Sequence, residues 1–581
     1  MIRILTRLIL LALIAWPVGT WAKAMHPKPA PPRILVNQVG YLPHLPKRAL
    51  FTGDPSGPKE AKAILVDSET QTPMLKITPG RPYREKNRAT PLRILDFSAL
   101  KKEGRYHITW QGIRSLDFHI GHEIYTDALT LLLRSYTLQR CGVALEDPLT
   151  GLRHGPCHLQ DALVAREDPF APMGTRVDAR GGWHDAGDFG KYVATTAITA
   201  GRLLAAWEKA PTPLKALSLS LPHHDRASPT CDLLTETRVG LLWMLRMQRS
   251  DGALYRKLSG SSWPSPISPD EDSQTRYLYG ISSPETAKAA AAFAMAARVY
   301  KASDPVFSRQ CLSAARKAWE FLVANPEMLI DHQPGDDSGS GPYLYSPVDR
   351  EATLTTDLDD RFWAAAELFI TTRETPFLKE VERILPMLPW GLYEWKDPSA
   401  LGMANLLHHQ KKATRLTARL KKKLILRADT LILHVKKCPW FTANPRLIWG
   451  SNKMIAEEGI TLALAYEQTG NPVYLSAASA QLNFLLGINP FGISFVTGLG
   501  EHSVRHSNHL FARALGKSIP GLLVGGANAS AEDGIAPKGK GLRSYVDDPR
   551  SYATNEYAID YNASLIGLIV HLTATSPGRV P

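Results

Sequence analysis

Two stretches of this sequence concentrate carboxylates where they could do acid–base work. The first is Gly181-Gly-Trp-His-Asp-Ala-Gly-Asp-Phe-Gly190, in which Asp185 and Asp188 stand among glycines. Glycine lets a backbone turn tightly enough to aim side chains into a cleft. A helix is expected from near Lys191, and its N-terminal dipole would favour the anion of Asp188, which suits a base. The plainer reading makes both residues turn and helix-cap residues, because Asp-x-x-Asp alone is a weak signal. The second stretch is Ser544-Tyr-Val-Asp-Asp-Pro-Arg-Ser-Tyr-Ala-Thr-Asn-Glu-Tyr-Ala-Ile-Asp-Tyr-Asn-Ala563. There a polar loop leads into an apolar helix, with Glu556 expected in its first turn. Shielding by Tyr552, Tyr557 and Tyr561 would raise the pKa of Glu556 and fit it for an acid. A capping glutamate is the alternative. One carboxylate suited to base, one suited to acid, and aromatic neighbours together describe hydrolysis of a glycosidic bond.

A third set is Cys141, Cys157, His158 and His184. Two thiolates and two imidazoles suit a closed tetrahedral zinc site of structural type. The alternative is a Cys141–Cys157 disulfide with unrelated histidines. Because His184 adjoins Asp185, a zinc there would tether the first acidic stretch. Asp336, Asp337, Asp359 and Asp360 are the positions at which calcium would be sought, although acidic loops are commonly just solvated, so calcium ligands stay unassigned. Trp183, Trp263, Trp363 and Trp449 offer flat faces for sugar stacking or for core packing.

Together these stretches resemble glycoside hydrolase family 9, the cellulase family built on an (α/α)6 barrel. That family has an early Gly-Gly-Trp-x-Asp-Ala-Gly-Asp segment and a later signature of aromatic-x-Asp-x4-aromatic-x3-Glu-x-small-x3-Asn-small. The latter is matched here by Tyr545, Asp547, Tyr552, Glu556, Ala558, Asn562 and Ala563. Ile34-Leu-Val-Asn-Gln-Val-Gly-Tyr41, Asp96-Phe-Ser98 and Gly104-Arg-Tyr106 resemble the immunoglobulin-like module that precedes many such barrels. Residues 359–368, Trp449-Gly-Ser-Asn452 and Gly487-Ile-Asn-Pro490 resemble further family segments. The resemblance implies that Asp188 deprotonates water, that Asp185 helps hold that water, and that Glu556 protonates the leaving oxygen. It also implies inversion at the anomeric carbon, with Asp188 and Glu556 ~6.5–9.5 Å apart. Sugar contacts are expected from Trp183, Asn508, Asp547, Tyr552 and Tyr561. A subset of the family shares the two-cysteine, two-histidine set. One loop departs from the pattern. After Ser494-Phe-Val-Thr-Gly-Leu-Gly500, the family's His-Pro-His-His-Arg is replaced by His506-Ser-Asn-His-Leu510. Asn508 thus stands for a functional His and Leu510 for an Arg, which should weaken a sugar subsite or alter its specificity. Arg505, His509 and Arg513 are the nearby residues able to compensate.

The elements that must position these residues fall into two kinds. Residues 33–39, 48–51, 63–66 and 106–110 read as short strands punctuated by Gly40, Pro43, Gly53, Gly80 and Gly104, which suggests a small sandwich. From about residue 123 the periodicity is helical, over 128–140, 194–207, 233–248, 287–300, 312–323, 361–371, 455–468 and 475–486. A last helix is expected from about 557 to 571. The division expected is a signal over 1–24, an immunoglobulin-like sandwich over 33–121 and a barrel over 123–576. A helical domain of that length exceeds a single compact core unless it closes into a barrel.

With 44% hydrophobic and 21% charged residues, the 581-residue chain is neither disordered, nor collagen, nor a long coiled coil. No apolar run beyond the N-terminus approaches the ~20 residues that span a bilayer. Arg3, Arg7, an apolar run over 8–18 and Ala22-Lys-Ala24 read as an export signal, with an uncleaved anchor as the alternative. Removing Arg3, Arg7 and Lys23 lowers the formal charge from +13 to +10, so the remainder stays basic. Pro27, Pro29, Pro31 and Pro32 suggest a short extended leader. Five cysteines are too few for a disulfide scaffold. Residues 411–427 hold eight Lys and Arg and no acid, with Leu416, Leu420 and Leu424 at helical spacing. This reads as a solvated basic helix face, or as one drawn to an anionic envelope. No aromatics interleave, so nucleic-acid binding is not expected. The expected protein is a secreted or periplasmic inverting glycoside hydrolase. The activity expected is endo-β-1,4-glucanase on cellulose or soluble β-glucan, by a monomer without a membrane span after signal removal. Its rivals are an exo-acting β-glycosidase or β-glucosaminidase of the same family, and a glycan-binding protein with weak catalysis.

Overall fold

A computed structural model describes residues 31–575, apart from 55–60, 87, 89, 226, 342–353 and 411. The expected signal, Pro27, Pro29, Lys411 and the expected barrel end at 576 therefore lie outside the described residues.

The N-terminal part is a two-layer β-sandwich. One sheet pairs β1 (Arg33–Leu35), β3 (Arg48–Thr52), β7 (Pro91–Asp96) and β6 (Tyr83–Arg84) in that order. The other runs β2 (Gly40–Tyr41), β10 (Phe118–Ile120), β8 (Gly104–Trp110), β4 (Ala63–Asp67) and β5 (Pro73–Ile77), with β9 (Ile113–Arg114) on β8. Strand alternation explains the core: Tyr106, Ile108 and Trp110 of β8 all point inward, against Phe51, Phe97 and Phe118. Fully burying side chains of this size contributes about 1.5–3 kcal/mol each.

The remainder is mostly helical. Its outer helices are α1 (Thr126–Leu138), α4 (Asp232–Arg246), α6 (Pro305–Ala324), α8 (Thr375–Ile384), α10 (Arg415–Lys437) and α12 (Pro472–Leu485). Inside them lie α2 (Val193–Lys209), α5 (Ser283–Val299), α7 (Leu358–Thr372), α9 (Ser399–His409), α11 (Ser451–Thr469) and α15 (Ile559–Thr573). Short α3 (Pro211–Lys215), α13 (Leu510–Leu515) and α14 (Tyr552–Asn555) sit in the connections. Helix α2 packs on α5, α5 on α7, α7 on α9 and α11 on α15; α10 touches both α9 and α11, and α15 returns to α2 to close the ring. Inner helices such as α5 are buried almost all round, which is why they are rich in alanine rather than amphipathic.

Buried ion pairs fix the register between inner helices. Arg202 meets Glu457 at 2.5 Å, Lys288 meets Asp360 at 2.6 Å, and Lys453 meets Asp560 at 2.7 Å. Removing one member of such a pair typically costs about 3–5 kcal/mol, because the other charge stays buried.

The helix expected from near Lys191 starts at Val193, just after Lys191–Tyr192 pairs as a short strand with residues 254–260. One local expectation is corrected. Glu556 is outside the last helix: it is extended, with φ −80° and ψ 142°, between α14 and α15. Its backbone is claimed by Asn508 and Gly525, segments distant in sequence, so it has no helical partners to take.

Candidate active site and metal centre

The first acidic stretch is held by backbone bonds at both ends. Asp185 N–H donates to Gly190 O at 2.9 Å, and Ile559 N–H donates to Asp185 O at 2.8 Å. The Asp185 carboxylate accepts from the Thr195 hydroxyl. Asp188 Oδ2 accepts from Gly190 N–H at 3.1 Å and from the Tyr192 hydroxyl at 3.1 Å. These two donors stabilise the Asp188 anion, and neither lies within the helix, which begins at Val193. They leave no room for a side chain at residue 190, where a Cβ would lie 2.5 Å from the Tyr192 hydroxyl oxygen. At Gly187 a Cβ would come within 2.4 Å of Asn508 O, so only glycine lets the two loops touch.

That contact brings the second stretch to the first. Leu510 N–H donates to Gly187 O and Asn508 N–H to Asn555 O, both at 2.8 Å, and Ala186 pairs with Ala558. Glu556 is thereby placed beside both aspartates, half-buried at its own position. Burial raises its pKa well above the ordinary glutamate value, and the charges of Asp188 and Asp185 raise it further. Burial also raises the pKa of Asp188, but Gly190 N–H and the Tyr192 hydroxyl oppose that shift. Both carboxyls thus end above their ordinary range, Glu556 the farther because two aspartates add to its burial while two donors hold Asp188 back. A difference of this kind separates an acid from a base within one site.

The substituted loop is organised by groups that sequence reading missed. Asn555, fully buried, donates to His506 O at 2.6 Å and to Asp547 Oδ1 at 3.2 Å, and accepts from the Tyr545 hydroxyl at 2.7 Å. Asp547 accepts from the backbone N–H groups of Arg505 and His506 at 3.0 and 2.9 Å, so it shapes the loop. The Asn508 amide donates to Pro549 O at 2.7 Å. His509 is buried and donates through Nε2 to Gln139 Oε1 at 2.9 Å, while Gln139 donates to Ala186 O at 2.9 Å. Burial, with His184 nearby, pushes the His509 imidazole down to about 3, so it stays neutral. It is spent on the loop, whereas Arg505 and Arg513 remain exposed.

Among the aromatic candidates, Trp449 and Tyr552 stack with centroids 5.4 Å apart and are 37% and 41% exposed. Tyr561, in side-chain contact with Trp449, is almost buried. Trp183 is corrected: it has no exposed surface, donates to Glu236 at 2.8 Å and packs against Tyr136, so it offers sugar no face. Its indole is core because residue 240 is glycine, where a Cβ would lie 2.3 Å from the ring. Trp363 is also core, while Trp263 is exposed.

Cys141, Cys157, His158 and His184 converge in one buried cluster, their ligating atoms all within 4.8 Å of one another. Both cysteines are free thiols rather than a disulfide. A tetrahedral zinc would set ~3.4 Å between two nitrogens and ~3.6 Å between nitrogen and sulfur, from its usual bond lengths. The structure has 3.3 Å from His158 Nδ1 to His184 Nε2, 3.6 Å from Cys141 Sγ to His158 and 3.9 Å from Cys157 Sγ to His184. The residues therefore fit a metal such as zinc. Asp272 faces the far nitrogen of His158 at 3.3 Å, the outer-sphere partner expected of a metal-bound imidazole. Of the acidic positions considered for calcium, Asp336 pairs with Arg166 and Arg256, Asp337 with Lys257, and Asp360 with Lys288.

Comparison with known proteins agrees with this geometry. Residues 125–569 match the model of glycosyl hydrolase family 9, and residues 29–115 that of the cellulase N-terminal ig-like domain. Endoglucanase D of Acetivibrio thermocellus is 30% identical over 547 residues, covering 92% of this chain and 82% of that protein. A metagenome-derived glycoside hydrolase family 9 endoglucanase is 40% identical, with a TM-score of 0.86 over 94% of this chain and 99% of that one. A Zn-binding triple mutant of the family 9 endoglucanase J30 is 35% identical, with a TM-score of 0.86 over 92% and 99%. With its paired carboxyls, its helical ring and its N-terminal sandwich, the chain belongs to glycosyl hydrolase family 9.

Proposed function

We propose that this glycoside hydrolase is an exported, inverting endo-β-1,4-glucanase. The observation that carries the chemistry is the pairing of Asp188, whose carboxylate takes two donors, with Glu556, whose pKa is raised well above the ordinary value and whose charge is felt by Tyr552 of the stacked Trp449–Tyr552 pair. Asp188 takes a proton from a water that attacks the anomeric carbon, and Asp185 helps to hold that water. As the glycosidic bond breaks, Glu556 gives its proton to the leaving oxygen, so one water is consumed per bond. The exposed Trp449–Tyr552 pair supplies an apolar platform for a pyranose ring. Cys141, Cys157, His158 and His184 would hold zinc, whose part is structural: it closes the loop that bears His184 and Asp185. The likeness to endoglucanases supports internal cleavage of β-glucan, and the N-terminal charge and apolar pattern supports export. With Asn508 turned to Pro549 and Leu510 apolar, the grip on sugar hydroxyls at that loop is weaker than in the family pattern.

The test is hydrolysis of carboxymethylcellulose and cello-oligosaccharides beside Glu556→Gln. A rapid fall in viscosity, an α-anomer as first product by NMR, and a loss of about 10²–10⁴ in kcat for the variant are expected. Monomer released ahead of any viscosity change would make the enzyme exo-acting, and a first β-anomer would make it retaining.

A further inference from the structure

Helix α10 presents two different faces. Leu416, Leu420, Leu424, Ala428, Leu431, Ile432 and Val435 are buried on the side that meets α9, α11 and α12. On the other side Arg415, Arg419, Lys422, Leu426, Leu433 and Lys437 follow at spacings of four, three, four, seven and four. Such spacings keep all six on one line along a helix. Leu426 and Leu433 are 69% and 59% exposed, so neither serves the core. Lys423 and Arg427, at the flank of that line, are committed to Leu388 O and Glu458. Asp429, the one acid of the helix, accepts from the Tyr474 hydroxyl at 2.6 Å. The outer line is therefore strongly cationic, with two large aliphatic side chains standing out of it.

We propose that this line is a docking surface for an anionic lipid bilayer. The helix lies along the surface, its basic groups at the lipid phosphates and the two leucines in the boundary between headgroups and acyl chains. Charge complementarity alone would suit any polyanion. The leucines select a surface with an apolar layer beneath the charge, which a soluble polyanion lacks. Among the described residues no helix is long and apolar enough to cross a membrane, so contact of this kind is peripheral.

The experiment is cosedimentation of the protein without residues 1–24, which retains every described residue, with two kinds of vesicle. One is pure phosphatidylcholine; the other is phosphatidylcholine and phosphatidylglycerol in equal parts. Binding is expected only to the anionic vesicles, with a drop in partitioning of about tenfold or more in Lys422→Glu/Lys437→Glu. Leu426→Ser/Leu433→Ser should lose about tenfold. Both pairs face solvent, and an unchanged Tm shows that the fold is kept. Equal binding to both vesicles, or to neither, overturns the proposal. So does a serine pair that binds anionic vesicles as well as the parent does, which would mark a soluble polyanion, with heparin as its probe.

Discussion

Of the two donors to Asp188 Oδ2 that oppose the effect of burial, Gly190 N–H and the Tyr192 hydroxyl, Tyr192 is the one a side-chain substitution can remove. Its hydroxyl donates to the carboxylate, and a hydrogen bond to a charged group is worth about 1.5–3 kcal/mol. Removing it in Tyr192→Phe should raise the pKa of Asp188 and move the acidic limb of kcat/KM to higher pH by about one unit. An unmoved limb would show that Tyr192 acts on packing alone. Glu556 makes the opposite kind of prediction, about stability. Its pKa is raised in the fold, so the folded chain keeps a proton that the unfolded chain releases above about pH 4.5, and stability falls as pH rises through that window. Glu556→Gln should therefore melt higher than the parent at neutral pH, by ~2 °C, with the gap vanishing below pH ~4. At this scale the carboxyls and the cysteine–histidine set were legible, because glycines, aromatics and ligand types mark them locally. Asn555 was not, since an asparagine reveals itself as a hub only when Tyr545, His506 and Asp547 are gathered round it. Trp183 misled for the converse reason: it lies beside the acidic residues in the chain, yet Gly240 opens a slot for its ring in the core.

At the scale of elements, long helices with a clear apolar stripe were readable, and α10 is an instance. The hairpin of residues 254–260 and 276–282 inside the helical domain was not, because both strands are buried on both faces and show no alternation. The start of α15 was misplaced because residues 556–558 satisfy their backbone through Asn508, Gly525 and Ala186, none of which is near in sequence. The cluster of Cys141, Cys157, His158 and His184 links the end of α1 to the loop that carries Asp185. Burial works against ionising Cys141, yet Cys157, Lys191 and His184 outweigh it and hold that thiol well below its usual range, while the same contact with Cys141 pushes the Cys157 thiol up. Cys157→Ser, or prolonged chelation, should lower Tm by several degrees and reduce kcat more than it raises KM. A calorimetric scan and steady-state kinetics on metal-analysed protein check this; a variant with parental Tm and kcat would leave the cluster without a tethering role.

The plan of a sandwich followed by a helical domain was legible from turn residues giving way to alanine-rich helices, but the docking between them was not. Asn37 donates to Tyr125 and to Asn483 at 3.0 Å each, and Gln38 N–H donates to Leu486 O at 2.9 Å. The Gln38 side chain donates to Gly492 O and His502 O at 3.1 Å and accepts from His502 N–H at 2.7 Å. The sandwich thus braces the very loop that continues to Asn508. Gln38→Ala removes three such bonds at a part-exposed site. It should cut kcat about two- to fivefold with little effect on the acidic limb of the pH profile. Equal kcat in the two proteins would confine the sandwich to stability.

Ring closure has a consequence for how the enzyme comes into being. Of the described inner helices α15 is the last in chain order, and Glu556 stands three residues before its first, Ile559. Until that helix reaches both α2 and α11, Glu556 has no burial to raise its pKa and no aspartates beside it. On the proposed mechanism, a chain still being synthesised, or one cut short by an early stop codon before Ile559, therefore lacks its acid and cleaves no glycan, however well its sandwich and earlier helices have folded.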